Sequence, residues 1–247
     1  MFDDLTIILP FRNRLDKLKN LKYSLNFYKK FGVEHAIVVE QDIKQTISDS
    51  LFVYNPGLFN RSWAFNVGLR YSKSKIVFSD IDVYIDHDVF VKSYELLNDG
   101  DFVKPYNRFI NLNEEISEKI RNNYFMKPNE DNIVYPNIGA GMLFANKESV
   151  LRIGGWPEEF EGWGGEDDVM SLKIAKLCRT FVLERDLYHL HHLRSVDVST
   201  HTHSNYEKNR KLALEIIPAM SQEEFIKYVN VSKTVNVGAE NKYGDLQ

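Results

Sequence analysis

Ile76-Val77-Phe78-Ser79-Asp80-Ile81-Asp82 is the stretch on which the fold turns. A short apolar run closed by polar residues is the pattern of a buried strand, since a helix needs a longer stretch. Two carboxylates stand at its end. Upstream, Asn55-Pro56-Gly57 marks a turn, and a helix from about Ser62 to Tyr71 leads from it into this strand. Before the turn, Ala36 to Val39 is a second buried strand. Leu18, Leu21, Leu25 and Tyr28 recur at helical spacing ahead of it, and Leu5 to Leu9 is a first strand stopped by Pro10. Strand, helix, strand, helix, strand implies an α/β fold whose mostly parallel sheet is covered on both faces.

Downstream the pattern is looser. Asn111 to Tyr135 is polar and weakly patterned, as in a long excursion or lid. Gly139-Ala140-Gly141 opens an apolar run from Met142 to Phe144. A helix is expected from near Gly165, with Met170, Ile174 and Leu177 on one face, then a strand from Phe181 to Leu183 and a late helix from Asn205 to Ile217. The end of the chain reads as a loosely packed tail. No repeat or linker interrupts the chain, so one domain over residues 1–217 is expected, with 218–247 as its tail.

The chain has 247 residues, 43% hydrophobic and 27% charged, which excludes wholesale disorder. A net charge of −4 argues against a nucleic-acid backbone as partner. An anionic ligand would need a local cation or metal. Cys178 is the only cysteine, so no intrachain disulfide forms. The acidic opening Met1-Phe2-Asp3-Asp4 is unlike a secretory signal, and no apolar stretch is long enough to span a membrane. These features point to a cytoplasmic protein without a membrane span, and leave room for peripheral contact.

Open parallel sheets bind ligands at the carboxyl ends of their strands, which singles out Pro10 to Arg14 and Asp80 to Asp82. Oxygen ligands such as Asp80 and Asp82 suit a hard divalent ion bridging a diphosphate. Asp86-His87-Asp88 repeats the spacing, and an acidic turn is the plain alternative for both. Five of seven histidines lie between His189 and His203, and carboxylate with imidazole suits manganese. Strand alternation would put His189 and His191 on one face and His192 opposite, so spacing does not choose the ligand. In Trp163-Gly164-Gly165-Glu166-Asp167-Asp168 the glycines permit close backbone approach, and the tryptophan offers a flat face for a sugar ring. The acids complement a helix dipole, but three in a row exceed what capping needs, and one can serve as a general base. Phe11-Arg12-Asn13-Arg14 and Phe59-Asn60-Arg61 pair an aromatic with arginine, a set able to stack on a base and neutralise a diphosphate. The lysines of the first helix, Lys17 among them, read as a solvated face.

These landmarks, together with Asn66-Val67-Gly68 and Gly154-Gly155-Trp156-Pro157, resemble in order the β-1,4-galactosyltransferase family and its bacterial relatives of the chondroitin-polymerase type. The resemblance runs from Ile7 to about Ser195. It implies a GT-A (nucleotide-diphospho-sugar transferase) fold, with a mostly parallel mixed sheet flanked by helices. It implies a UDP-sugar donor, a saccharide or glycolipid-linked acceptor, and Mn²⁺ as cofactor, with Mg²⁺ as the alternative. By the same resemblance Pro10, Phe11, Arg12, Arg14, Phe59 and Arg61 line the uridine and diphosphate site, and Asp80 touches the donor. Asp82 and His192 ligate the metal. His189 stands where the family's galactosyltransferases place a methionine, a departure that bears on the third ligand and on metal preference. Trp163 senses donor and acceptor, Glu166 and Asp167 bind the acceptor, and Asp167 is the base. The implied reaction is an inverting transfer of a hexose or N-acetylhexosamine. The competing readings are a retaining transferase of the polypeptide N-acetylgalactosaminyltransferase type, a binding module without catalysis, and a metal-dependent hydrolase built on the histidines.

Overall fold

The computed structural model describes residues 2–12, 15–122, 133–136, 141–192, 205–234 and 237–243. β1 (Leu5–Phe11) leads into α1 (Leu15–Lys30), β2 (Ala36–Asp42) and β3 (Leu51–Tyr54), and α2 (Arg61–Tyr71) returns the chain to β4 (Lys75–Ser79). β5 (Val83–Tyr84), α3 (His87–Leu96), β6 (Phe102–Lys104), β7 (Arg108–Asn111), α4 (Glu114–Asn122) and β8 (Ile133–Pro136) follow. β9 (Met142–Asn146), α5 (Lys147–Arg152), α6 (Glu166–Leu177), β10 (Thr180–Val182) and β11 (Asp186–His189) complete the sheets. The chain continues through α7 (Tyr206–Lys211), a π-helical segment Leu212–Ile216, and α8 (Gln222–Thr234).

The main sheet has seven strands in the order β10-β6-β9-β4-β1-β2-β3. β3, β2, β1 and β4 are mutually parallel, and β9 alone runs against its neighbours β4 and β6. This is the mostly parallel mixed sheet of the α/β expectation. β1 is buried along its whole length because both faces are covered. Leu5, Ile7, Leu9 and Phe11 join the core beside α1 and α3, whereas Ile8 joins the core under α2 and α6. Gly68 lets α2 lie directly on β1, since a Cβ there would sit 2.4 Å from Ile8 Cγ2.

The chain visits β1, β2 and β3 on one side and returns to β4 on the other, so the strand order reverses between β1 and β4. That switch point is where such sheets place ligands, and Asp80 follows the end of β4. A second sheet, β5-β11-β7-β8, stands beside it.

Two expectations change. The polar stretch from Asn111 to Tyr135 is not one excursion: it carries α4 and β8, and β8 pairs with β7. Residues 123–132 and Gly139-Ala140 lie outside the described residues. Within the expected tail α8 is packed, for its Phe225 and Val229 are buried with Phe160, Val169, Ala213 and Ile217. Residues 237–243 lie on α2, where Trp63 Nε1 donates to the Ala239 carbonyl at 2.7 Å. Among the described residues no helix is long and apolar enough to cross a membrane.

Candidate active site

The backbone around Asp80-Ile81-Asp82 is tied to three elements. Asp80 N–H donates to the Gly141 carbonyl at 2.8 Å, and Leu190 N–H donates to the Asp82 carbonyl at 2.8 Å. Ser24 Oγ of α1 donates to the Ile81 carbonyl at 2.7 Å. The two carboxylates then diverge. Asp82 is buried, 3% exposed, and meets Lys17 Nζ at 3.1 Å, His192 Nε2 at 3.4 Å and His189 Nε2 at 3.6 Å. One ligand atom from each of Asp82, His189 and His192 lies within 4.8 Å of the others. Burial would raise the Asp82 carboxyl, but Lys17, His189 and His192 hold it well below the usual carboxylate range.

His189 Nδ1 is 2.6 Å from Asn111 Oδ1. An amide oxygen there accepts the Nδ1 proton and leaves the Nε2 lone pair facing Asp82, the orientation a metal ligand needs. Strand alternation predicts the wrong partners among the histidines. β11 ends at His189, so alternation stops there; His192 joins His189 at Asp82, while His191 N–H donates to Ser117 Oγ at 2.8 Å. His201 and His203 lie outside the described residues. Asp86-His87-Asp88 opens α3, with His87 and Asp88 exposed, and takes no part in this group.

Asp80 belongs to a second cluster, gathered by Arg61. This arginine begins α2 just after Asn60, whose side chain caps the helix by accepting Trp63 N–H at 2.8 Å. Its Nη1 lies 3.1 Å from both Asp80 oxygens. Its Nη2 lies 3.1 Å from Glu166 Oε1 and also bonds Asp167 Oδ1. Burial disfavours the guanidinium charge, yet Asp167, Asp80 and Glu166 together raise its pKa well above the ordinary value. Burial also raises Asp80, with the charges of Asp82 and Asp167 adding to it against Arg61. Glu166 is pushed up to about 7 by burial, then by Asp167 and Asp80, against the pull of Arg61.

Glu166 and Asp167 open α6, and the glycines before them set the approach. Gly165 caps the helix with φ +92°, and a Cβ there would meet the Phe160 ring at 2.6 Å. Gly165→Ala is therefore expected to destabilise the fold by roughly 1–3 kcal/mol, read as a lowered midpoint in denaturant unfolding. Gly162 N–H donates to the Phe59 carbonyl at 2.8 Å. Trp163 is 41% exposed and stacks on Tyr206, ring centroids 5.2 Å apart. The residues of Gly154-Gly155-Trp156-Pro157 are held by Asn66, whose Oδ1 accepts Trp156 N–H at 2.8 Å and whose Nδ2 donates to the Trp156 carbonyl at 2.9 Å.

The N-terminal set is dispersed. Pro10 and Phe11 are buried in β1, Phe11 inside the core. Arg12 is engaged by the turn, donating to the Asn55 and Gly57 carbonyls at 2.7 and 2.8 Å. Phe59 is half-buried, and Arg14 lies outside the described residues. The sequence reading missed Lys17, Asn111 and Tyr206. Lys17 sits in the first turn of the helix that follows the β1 strand-end motif, so extending the strand-end rule by one turn would have found it. No spacing pattern marks Asn111 or Tyr206.

A family model described as the N-terminal domain of galactosyltransferase matches residues 123–194. β-1,4-galactosyltransferase 1 of Bos taurus is 28% identical over 179 residues, covering 68% of this chain and 36% of that protein. β-1,4-galactosyltransferase 7 of Drosophila melanogaster is 24% identical over 208 residues, covering 83% of this chain and 54% of that protein. The chain thus spans between about a third and a half of the length of these curated relatives. Among solved structures, glucosyl-3-phosphoglycerate synthase from Mycobacterium tuberculosis, in complex with Mn²⁺, UDP and glucosyl-3-phosphoglycerate, superposes with a TM-score of 0.53 at 14% identity. That match covers 84% of this chain and 78% of the other, and speaks to the fold alone. In sequence the chain is thus similar to the galactosyltransferases, and its fold is that of the GT-A glycosyltransferases.

Proposed function

We propose that the protein is a metal-dependent glycosyltransferase that moves a hexose or N-acetylhexosamine from a UDP-sugar to a hydroxyl of a saccharide acceptor, free or lipid-linked, with inversion. The observation that carries this is the bridging of Arg61. One guanidinium contacts Asp80, two residues from the Asp82–His189–His192 group, and also Glu166 and Asp167. A candidate metal group and a candidate base therefore share one site.

The donor set fits a divalent ion of borderline character: one carboxylate held ionised and two imidazoles, one fixed by Asn111. Bound there, Mn²⁺ supplies positive charge against the negative charge that grows on a departing nucleoside diphosphate. The chain's own residues do the rest. Trp163, backed by Tyr206, offers a flat face to a sugar ring. Asp167 accepts the acceptor hydroxyl's proton as that oxygen bonds to the anomeric carbon, and the bond from that carbon to the diphosphate oxygen breaks with its electron pair leaving on the nucleotide. A single displacement from the opposite face inverts the configuration. A second reading of the base is favoured by one observation. Glu166, with its pKa pushed up to about 7, has the basicity suited to proton transfer near neutrality.

A panel of UDP-sugars tests the proposal without knowledge of the acceptor. One sugar is expected to be hydrolysed slowly in the presence of Mn²⁺ and not in EDTA. Hydrolysis of none, or equal hydrolysis with the metal chelated, would remove the proposal.

A further inference from the structure

We propose that Lys17 is a diphosphate-binding residue of this site, supplying a fixed positive charge beside the metal group, where the described arginines, Arg12 and Arg61, are engaged by other partners. This rests on the transferase function proposed above and adds a residue to it. The placement is direct: Lys17 Nζ lies 3.1 Å from Asp82 Oδ2, while His189 Nε2 approaches Oδ1 of the same carboxylate. Lys17 is therefore beside the metal group, not on the solvated helix face to which the sequence assigns it. Its side chain remains 24% exposed.

The charges decide why it is needed. Arg61 is held by Asp80, Glu166 and Asp167, so its guanidinium charge is already met by three carboxyl groups. Arg12 gives its guanidinium to the Asn55 and Gly57 carbonyls. A divalent ion on one carboxylate and two neutral imidazoles leaves a single net positive charge, against one negative charge on each phosphate of the donor. Lys17 brings the second positive charge to the same carboxylate. Three ammonium protons allow one to stay on Asp82 while another meets a phosphate oxygen.

Two consequences of opposite sign distinguish this role from a merely structural ion pair. Lys17→Met removes a cation that repels the metal and attracts the diphosphate. Calorimetry is expected to show Mn²⁺ alone binding tighter, by roughly tenfold, and UDP at saturating Mn²⁺ binding weaker, by roughly 10- to 100-fold. Uridine, followed by saturation-transfer NMR, is expected to bind as in the wild type, and Lys17→Arg is expected to restore most of the UDP affinity. Unchanged UDP affinity in Lys17→Met would overturn the assignment. Weakening of both Mn²⁺ and UDP would also overturn it, because Lys17 would then only be shaping Asp82. Asp82→Ala is run in parallel: if it binds Mn²⁺ and UDP like the wild type, the failure lies with the metal site and not with Lys17. The thermal midpoint of each variant establishes that it is folded.

Discussion

Replacing Asp82 by alanine is expected to abolish Mn²⁺-dependent binding of UDP. The side chain is the sole carboxylate among the three groups that converge there, and two neutral imidazoles alone make a poor site for a hard or borderline cation. The loss follows from chemistry and not from collapse of the fold. The Asp82 carbonyl keeps its bond from Leu190 N–H, and Lys17, left without its partner, is exposed enough to turn toward water. Calorimetric titration with UDP is expected to give, in Mn²⁺, the same weak isotherm that the wild type gives in EDTA, a fall of at least about 100-fold. Wild-type affinity in the variant would contradict the metal assignment.

Asp167→Asn is expected to lower turnover by roughly 10²- to 10⁴-fold, the usual contribution of a general base, while UDP binding in Mn²⁺ changes little. Asparagine keeps the size of the side chain and an oxygen for Arg61, and Arg61 remains fixed by Asp80 and Glu166. What disappears is the ability to take a proton. The pH profile separates this from the Glu166 alternative. Glu166 is raised to about 7, so a base at that position would be mostly protonated below neutrality, and turnover would climb as pH rises through about 7. With Asp167 as base no such climb attributable to Glu166 is expected, and Glu166→Gln should weaken acceptor binding more than it slows the chemical step. Unchanged turnover in Asp167→Asn would remove it as the base.

The first half of the fold was legible because its strands are short, continuously apolar and separated by well-marked turns. Leu5 to Leu9, Ala36 to Val39 and Ile76 to Phe78 all fall inside β1, β2 and β4. Strands of the second sheet were not, since β7 and β8 are short and lie in polar sequence with no alternating pattern to mark them. At the site, the convergence of Asp82 with His192 came from ordered motifs resembling a family, because no local period relates residues so far apart in sequence. Arg61 was expected beside the diphosphate, and its contacts here are Asp80, Glu166 and Asp167, a preference set by three-dimensional charge and invisible in residue type.

The short segment 237–243 has a bearing on endurance. It is held on α2 and the segment before α6 by hydrogen bonds, Ala239 through the Trp63 indole and Gly238 N–H through Glu158 Oε1 at 2.8 Å, and by the Tyr243 ring against Trp63. Glu158 also accepts from Asn66 Nδ2 and its carbonyl accepts from Asn60 Nδ2, the residue that caps α2 next to Arg61. A short strap outside the sheets is expected to open at a lower free energy than the sheet. When it lifts, water enters the polar lattice that sets Arg61 in place. Under heat or mild denaturant the strap is therefore expected to open before the sheet melts, read as faster amide exchange at Gly238 than along β1.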